Sequence, residues 1–373
     1  MKILVVPNSF KGSLSAGQVA SAIKNGIDNS KHEITLMPMA DGGKGTVECL
    51  LSAVSGRTIS VDTTDPIGRK ITTDIGIFNN SKTAIIEMAA ASGLELIPKE
   101  KQDPLVTTTF GTGKLIKKAI DLGCYKIILG LGDSATNDGG AGALQALGAK
   151  LLDANKIDIK HGGLYLKDLS EINISAFGKY QHIDMTFLCD VSNTLLGPQG
   201  ATKIYSKQKG ASSEAMEILE SNLKHFATVL QRKTGVDIAT IIGSGAAGGL
   251  AAGLSIAFKS KFISGSDYII NKTKLIKKIL NADLIVTGEG KLDSQTKFGK
   301  IPYKIAKMAQ KNKIPVIGIF GMIEQGSRYE YEGQFQYLFS LSNQDISRET
   351  AMQNAYHLLT DKVNHIFRKL KFN

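Results

Sequence analysis

Tryptophan is missing from all 373 residues, and cysteine is scarce, with 3 residues at Cys49, Cys124 and Cys189. An odd count without CxxC spacing supports neither a disulfide framework nor a zinc knuckle. The 6 histidines show no HxxxH or other metal-ligand spacing, which argues against a zinc hydrolase. No GxSxG elbow is present for acyl transfer, and no GxxxxGK[ST] phosphate loop occurs. Long apolar runs are also lacking. The opening Ile3-Leu4-Val5-Val6-Pro7 is too short for a secretory leader and no small-residue cleavage site follows it. The uncharged stretch 239–258 has nearly the length of a membrane span, with Gly249 and Gly253 at GxxxG spacing. Its Gly, Ala and Ser contribute little transfer energy, so it reads as a buried loop and helix. The expected compartment is the cytoplasm, with no membrane partner.

Acids are outnumbered. There are 45 Lys and Arg against 34 Asp and Glu, a formal net charge of +11. That balance raises nucleic-acid binding. The lysines are scattered over amphipathic segments, however, so the expectation is a solvated surface that attracts small anions and no nucleic-acid partner.

What is present is an ordinary globular composition, 42% hydrophobic and 21% charged, with 39 Gly. This length predicts two domains, either of them large enough for its own core. The start reads strand (2–7), polar loop (8–13), helix from an N-cap at Ser15, strand (34–37), then helix (46–54) after Ala40-Asp41-Gly42-Gly43. That is the start of a parallel sheet. The same grammar returns near the other end: strands at 282–287, 315–320 and 335–341, a helix over 302–310, and one long amphipathic helix over 347–370. The stretch 58–88 alternates and carries turn signals at Asp65-Pro66 and Asn79-Asn80, which predicts antiparallel hairpins. The fold expected is α/β: a doubly wound parallel, flavodoxin-like sheet domain from both chain ends (1–60 plus 282–373), with a second α/β domain (61–281) inserted.

Ligands of open α/β sheets lie beyond the carboxyl ends of the strands. The loops expected there are rich in Gly, Ser, Thr, Asn and Asp and lead into helices, an arrangement suited to phosphate. Gly111-Thr112-Gly113-Lys114 follows this logic weakly, as a phosphate loop or a tight turn. Two segments match a dinucleotide fingerprint, Gly243 to Gly248 and Gly130 to Ala135. The first has its acid, Asp267, before an apolar run instead of after one, and the second is separated from its helix by Thr136-Asn137-Asp138-Gly139-Gly140. Asp41, Asp138, Asp190, Glu289 and Asp293 fall in or beside such loops, as do Lys11, Lys209, Lys291 and Lys300. Phosphoryl transfer needs this mixture: oxygen ligands for Mg²⁺, a carboxylate to accept a hydroxyl proton, and cations for the moving charge.

Longer motifs are more specific. The chain resembles the type II glycerate kinase family over essentially its whole length, through Pro7-Asn8-Ser9-Phe10-Lys11-Gly12-Ser13-Leu14, Met39-Ala40-Asp41-Gly42-Gly43-Lys44-Gly45, Thr107-Thr108-Thr109-Phe110-Gly111-Thr112-Gly113, Gly132-Asp133-Ser134-Ala135-Thr136-Asn137-Asp138, Gln208-Lys209-Gly210-Ala211, and Gly288-Glu289-Gly290-Lys291-Leu292-Asp293 ending in Gly299-Lys300. The resemblance implies transfer from ATP with Mg²⁺ to D-glycerate, 2-phosphoglycerate as the usual product, and two α/β domains with a cleft between them. On this basis Lys11, Asp41, Asp190 and Asp293 are expected to be catalytic, with Asp190 and Asp293 on Mg²⁺ and Asp41 or Asp190 as the proton acceptor. Ser9, Ser13, Glu289 and Lys300 are expected to bind glycerate. Gly111, Thr112, Gly113, Gly132, Asp133, Ser134, Asn137 and Asp138 are expected to bind the nucleotide, and the protein to be a monomer or homodimer. Alternatives are a kinase for another small hydroxy acid and a weakened nucleotide-binding sensor. Two positions depart from the family pattern: Asn8 where Asp is usual and Lys44 where an acid is usual, both making these loops more positive.

Overall fold

Short runs of branched apolar residues, each ended by a polar or Gly-rich loop, build the first sheet. The computed structural model describes residues 1–27, 31–79, 81–294, 296–331, 333–342 and 348–370. Asn80, Gln295 and Ser347, each part of a sequence expectation, lie outside the described residues. The chain divides into two compact units, Met1–Asp41 together with the chain from Ser266 onward, and Gly42–Gly265.

In the first unit five strands lie in the order Tyr337–Ser340, Val316–Phe320, Leu284–Thr287, Lys2–Val5, Glu33–Leu36. Every pairing is parallel, with Ile3 opposite Leu284 and Ile34. Parallel strands covered on both faces read as continuous apolar runs, and Leu284–Thr287 and Val316–Phe320 are buried throughout. Counted along the unit the order is 2-1-3-4-5, so the winding reverses between Lys2–Val5 and Leu284–Thr287. The carboxyl ends at that reversal are where ligands of such sheets bind.

The helix Ala16–Gly26 begins at a capping box: Gln18 N–H donates to Ser15 Oγ at 3.2 Å and Ser15 N–H to Gln18 Oε1 at 2.9 Å. Its apolar stripe, Val19 and Ile23 among it, packs with Ile3 and Val5 of the sheet and with Leu359, Val363 and Ile366 of the helix Ala355–Leu370. A separate set of buried side chains, Ile305, Ala306 and Ala309, seats the helix Ile301–Lys311 on the strands Leu284–Thr287 and Val316–Phe320. The single closing helix expected from the sequence is two, Arg348–Gln353 and Ala355–Leu370. The backbone ladder continues between them, the Asn354 N–H donating to the Thr350 carbonyl at 3.1 Å and the Leu358 N–H to the Asn354 carbonyl at 3.0 Å, while the Asn354 amide shares the Thr350 carbonyl at 3.2 Å.

Besides a short antiparallel pair, Lys150–Leu152 with Glu171–Asn173, the second unit holds a six-stranded sheet in the order Lys259–Ile263, Asp184–Leu188, Lys126–Gly130, Thr83–Glu87, Lys70–Phe78, Gly56–Thr64. The last three form the antiparallel hairpins read from the alternation, and the first four are mutually parallel. Helices Phe110–Asp121 and Ser213–Thr234 contribute Leu115, Ile116, Phe226 and Leu230 to a core with Ile127, Leu129 and Phe187.

The unit boundaries fall earlier than the expected 60 and 282. The helix Thr46–Ala53 packs on Lys70–Phe78 and Thr83–Glu87, and Gly56–Thr64 pairs along its whole length with Lys70–Phe78, which draws both into the second unit. The helix Leu275–Leu280 packs instead on Ile301–Lys311 of the first. Among the described residues no helix is long and apolar enough to cross a membrane. The 239–258 stretch is broken by Ala247 at φ 56 and Gly248 at φ 65 before the short helix Leu250–Leu254.

Gly26 is where the two outer helices of the first unit come closest. A Cβ there would lie 2.5 Å from the Thr360 carbonyl oxygen and 2.6 Å from Val363 Cβ. Gly26→Ala is expected to destabilise the protein by about 1–3 kcal/mol, the usual scale of overpacking, read as a lowered urea midpoint at unchanged m-value.

Candidate active site

In the first unit the loops after three neighbouring strands bring Asn8, Ser9, Lys11, Asp41, Glu289 and Asp293 to the carboxyl ends at the winding reversal. Asn8 is buried, its N–H donating to the Gly288 carbonyl at 2.9 Å. Its Oδ1 accepts the Ser9 N–H at 2.7 Å, and this fixes the amide so that Nδ2 faces Asp41 Oδ2 at 3.3 Å. The Lys11 side chain is exposed, and its backbone abuts Gly290, where a Cβ would come within 3.3 Å of Lys11 N. Ser13 is oriented elsewhere: its hydroxyl donates to the Met352 carbonyl at 2.6 Å.

Lys300, the N-cap of Ile301–Lys311, stands between two acids, 3.4 Å from Glu289 Oε1 and 3.3 Å from Asp293 Oδ1. The Thr296 hydroxyl lies 3.2 Å from the same Glu289 oxygen. Lys291 approaches Asp293 at 3.6 Å and Glu324 at 2.9 Å. Burial pushes the Glu289 carboxyl up to about 7, against the pull of Lys300 and with the help of the nearby Asp41 charge.

In the second unit the most connected group is Asp138, which is fully buried. Its carboxylate accepts the N–H groups of Thr109 at 2.8 Å, Gly140 at 3.1 Å and Gly142 at 3.3 Å, and the hydroxyls of Thr109 at 2.9 Å and Thr108 at 3.3 Å. Asn137 is buried beside it, its amide donating to Thr202 Oγ1 at 3.0 Å. Of the expected nucleotide loop, Gly132, Asp133 and Ser134 are partly accessible and 135–140 is interior. Gly111, Thr112 and Gly113 do not form a loop. They are the buried first turn of the helix Phe110–Asp121. A Cβ at Gly111 would lie 1.9 Å from the Thr64 carbonyl oxygen and one at Gly113 2.5 Å from that of Ala143, so these glycines serve close backbone packing. Thr112 shares a 2.7 Å hydrogen bond with the Ser92 hydroxyl.

Lys44 donates its N–H to Asp133 Oδ2 at 3.1 Å and its ammonium to Glu95 at 2.7 Å. The Glu95 bond, with the charges of Glu87 and Asp133 nearby, holds the lysine above its ordinary pKa. The sign reversal at this position is therefore balanced locally. Glu87, not singled out by the sequence, ends its strand opposite Gly130 and accepts the Val47 N–H at 2.7 Å at the start of Thr46–Ala53. Burial raises its carboxyl to about 7, opposed by the Val47 and Gly45 N–H groups. The available signal was an acid closing an apolar strand, the pattern that had identified the others.

The fit to Mg²⁺ rests on donor chemistry. Among the described residues no three His, Cys, Asp or Glu side chains form a metal-holding group. Mg²⁺ needs only one or two carboxylates when water and phosphate complete its shell. Asp190, exposed just past the strand Asp184–Leu188 and accepting the Ser264 hydroxyl at 2.6 Å, fits that role. Asp293 fits it less well, since Lys300 and Lys291 already neutralise it.

Residues 3–371 match the Glycerate kinase family. The chain belongs to the glycerate kinase family. It is 40% identical to a glycerate kinase of Bacillus subtilis (strain 168), covering 100% of this chain and 98% of that one. It is 42% identical to the glycerate 2-kinase of Escherichia coli (strain K12), covering 95% and 94%. A glycerate kinase 2 structure from Salmonella typhimurium LT2 superposes with a TM-score of 0.79 at 39% identity, covering 100% of this chain and 98% of that one. Membership makes the protein a phosphotransferase with an alcohol acceptor. The motifs that open at Pro7, Met39, Gly132 and Gly288 fall on the loops described above, and Phe110 to Gly113 on a helix start.

Two outcomes follow from this geometry. Asp138→Asn puts an amide NH₂ among five donors. It should cost more than about 2 kcal/mol, since each buried donor left without its acceptor costs ~1–3 kcal/mol, measured by chemical denaturation. Glu289 binds its proton more tightly folded than unfolded. Its contribution to stability is therefore complete below the ordinary carboxyl value of 4.5 and lost as pH rises through about 7. Glu289→Gln should flatten the fall in stability between pH 4.5 and about pH 7, and an unchanged slope would show that this carboxyl ionises normally.

Proposed function

We propose that this protein transfers the γ-phosphoryl group of ATP to D-glycerate, giving 2-phosphoglycerate, in the cytoplasm. The reading is carried by full-length glycerate kinase membership combined with acids and lysines at the carboxyl ends of parallel strands in each unit. The 2-position is supported by the name of the Escherichia coli relative, glycerate 2-kinase. The first unit is inferred to be a flavodoxin-like, doubly wound domain, supported by its all-parallel 2-1-3-4-5 order.

Glycerate is a small acid with two hydroxyls, and its recognition needs a donor to the carboxylate and acceptors for the hydroxyls. Ser9 and Lys11 provide the first. Lys300 and Glu289 grip the hydroxyl end, the carboxylate of Glu289 being held in place by Lys300 and Thr296. Ser13 contributes through the shape of its loop, since its hydroxyl proton is directed at Met352. Asp41, aligned by the Asn8 amide, or Asp190 takes the proton from the attacking hydroxyl. On the nucleotide side Gly132, Asp133 and Ser134 line the accessible backbone, while Asn137 and Asp138 fix it from behind. Gly111, Thr112 and Gly113 act from behind, in the buried first turn of their helix, where Gly113 packs on Ala143 just past that loop. Mg²⁺, held by Asp190 with Asp293 as second choice, would supply charge neutralisation of the phosphates.

Lys11→Ala is expected to lower kcat by roughly 10²–10³, the effect of removing one charge-stabilising donor. Asp190→Asn should abolish turnover at ordinary Mg²⁺. Near-normal kinetics of either folded variant would remove that residue from the mechanism. Phosphorus NMR of the product formed from glycerate and ATP tests the reaction and the 2-position together; a 3-phosphorylated product, or none, would overturn the reading.

A further inference from the structure

Lysine is among the residues least often fully buried, yet Lys209 is 1% exposed. It closes the short helical turn Lys207–Lys209, which Gly210 ends at φ 102. A Cβ on Gly210 would lie 2.0 Å from the Gln102 carbonyl oxygen, so the turn is pressed against neighbouring backbone. The Ala211 N–H returns to the Ser206 carbonyl at 3.1 Å and locks the turn from inside. The side chain then runs inward, and Nζ donates to the Thr136 carbonyl at 2.7 Å. Burial draws its pKa down to about 7, and the Asp138 charge opposes that fall.

Thr136 lies two residues before Asp138, in the segment that continues from the accessible residues 132–134. One buried ammonium therefore holds a carbonyl of this segment, two residues from the carboxylate that gathers the N–H groups of Thr109, Gly140 and Gly142 and within reach of its charge. The opposite side of the segment is closed by the turn 246–249. A Cβ on Gly248 would lie 2.0 Å from the same Thr136 oxygen, and the Gly139 N–H donates to the Gly248 carbonyl at 2.9 Å. The loop is held by a close main-chain contact at Gly248 and by the buried ammonium of Lys209, and a side chain at Gly248 would clash.

We propose that Lys209 is a positioning residue for phosphoryl transfer: by holding the Thr136 carbonyl, it sets the backbone of 132–134 for the nucleotide phosphates. Lys209 is too buried to reach the nucleotide, so it acts through the loop. The proposal rests on the nucleotide reading given above for that loop.

The test uses the full-length protein with Mg²⁺. Binding of the non-hydrolysable analogue AMP-PNP is measured by calorimetry, and KM is measured for ATP and for glycerate, in the wild type, Lys209→Met and Lys209→Arg. The Met variant should weaken AMP-PNP binding and raise KM for ATP by roughly tenfold to a hundredfold, the scale of a small misplacement transmitted to a site. KM for glycerate should stay near the wild-type value, and Arg should recover part of the nucleotide affinity. A purely structural lysine would lower thermal stability and leave the two KM values of the folded enzyme unchanged, or move them equally; either result overturns the proposal. If Lys209→Met does not fold, Lys209→Arg decides: weaker AMP-PNP binding at unchanged KM for glycerate supports it, and wild-type binding refutes it. A wild type that fails to bind AMP-PNP refutes the nucleotide reading and this proposal together, whereas normal wild-type binding with unaffected variants refutes the role of Lys209 alone.

Discussion

Backbone N–H groups at helix starts and past strand ends have no ladder partner, and a buried one must find an acceptor or cost free energy. Where Ser15 and Ser212 supply one with a hydroxyl, three other places in this chain use a buried or half-buried carboxylate. Asp138 collects three such N–H groups, Glu87 takes that of Val47, and Asp65 takes those of Ile67 and Arg69 at 3.0 and 2.9 Å. Each of these acids would be expensive to bury alone. Surrounded by donors, each becomes the fixed point on which a loop is built. The loops therefore need no metal or disulfide to hold their shape, which agrees with the scarcity of cysteine and of histidine spacing.

The same constraint explains the density of glycine. A loop folded tightly around a buried carboxylate brings main chain against main chain. A Cβ at Gly132 would lie 2.6 Å from Gly43 Cα, one at Gly130 2.3 Å from the Gly42 carbonyl oxygen, and one at Gly111 1.9 Å from that of Thr64. Several glycines that look like a phosphate cradle in sequence are thus packing contacts behind one. Of the segments 111–113 and 130–140, 132–134 keeps the accessibility that a ligand requires. Glycine-rich sequence alone cannot separate these two uses, because both need a residue without a side chain.

Legibility followed the range of the interactions. Locally determined features were readable: the Ser15–Gln18 capping box, the hairpins of the alternating stretch, and the apolar runs that became parallel strands. The acids at strand ends were readable for the same reason, since an acid after an apolar run is a local pattern. Features set by distant partners were not. The Ser13 hydroxyl is claimed by a carbonyl 339 residues away. The unit boundaries were displaced because Gly56–Thr64 pairs with its hairpin partner and Leu275–Leu280 packs on a later helix. Asp138 was expected to bind the nucleotide; its full burial is set by partners as far as 30 residues away in sequence and was not readable locally.

Charge at the first unit's strand ends places a further condition on recognition. Asp41, Glu289 and Asp293 stand there with Lys11, Lys291 and Lys300, three acids with three ammonium groups in the same loops. Such a cluster has little net charge with which to attract an acid, and the overall +11 of the chain acts only at long range. Discrimination among small acids must then come from directed hydrogen bonds, which a fixed network can supply. Asn8 fits this logic. An Asp at that position would put a second carboxylate about 3.3 Å from Asp41, and one of the two would have to take up a proton. The amide instead donates to Asp41 and leaves its charge intact. Together with Lys44, neutralised among Glu95, Glu87 and Asp133, Asn8 changes the local charge of its loop without removing a hydrogen bond from it.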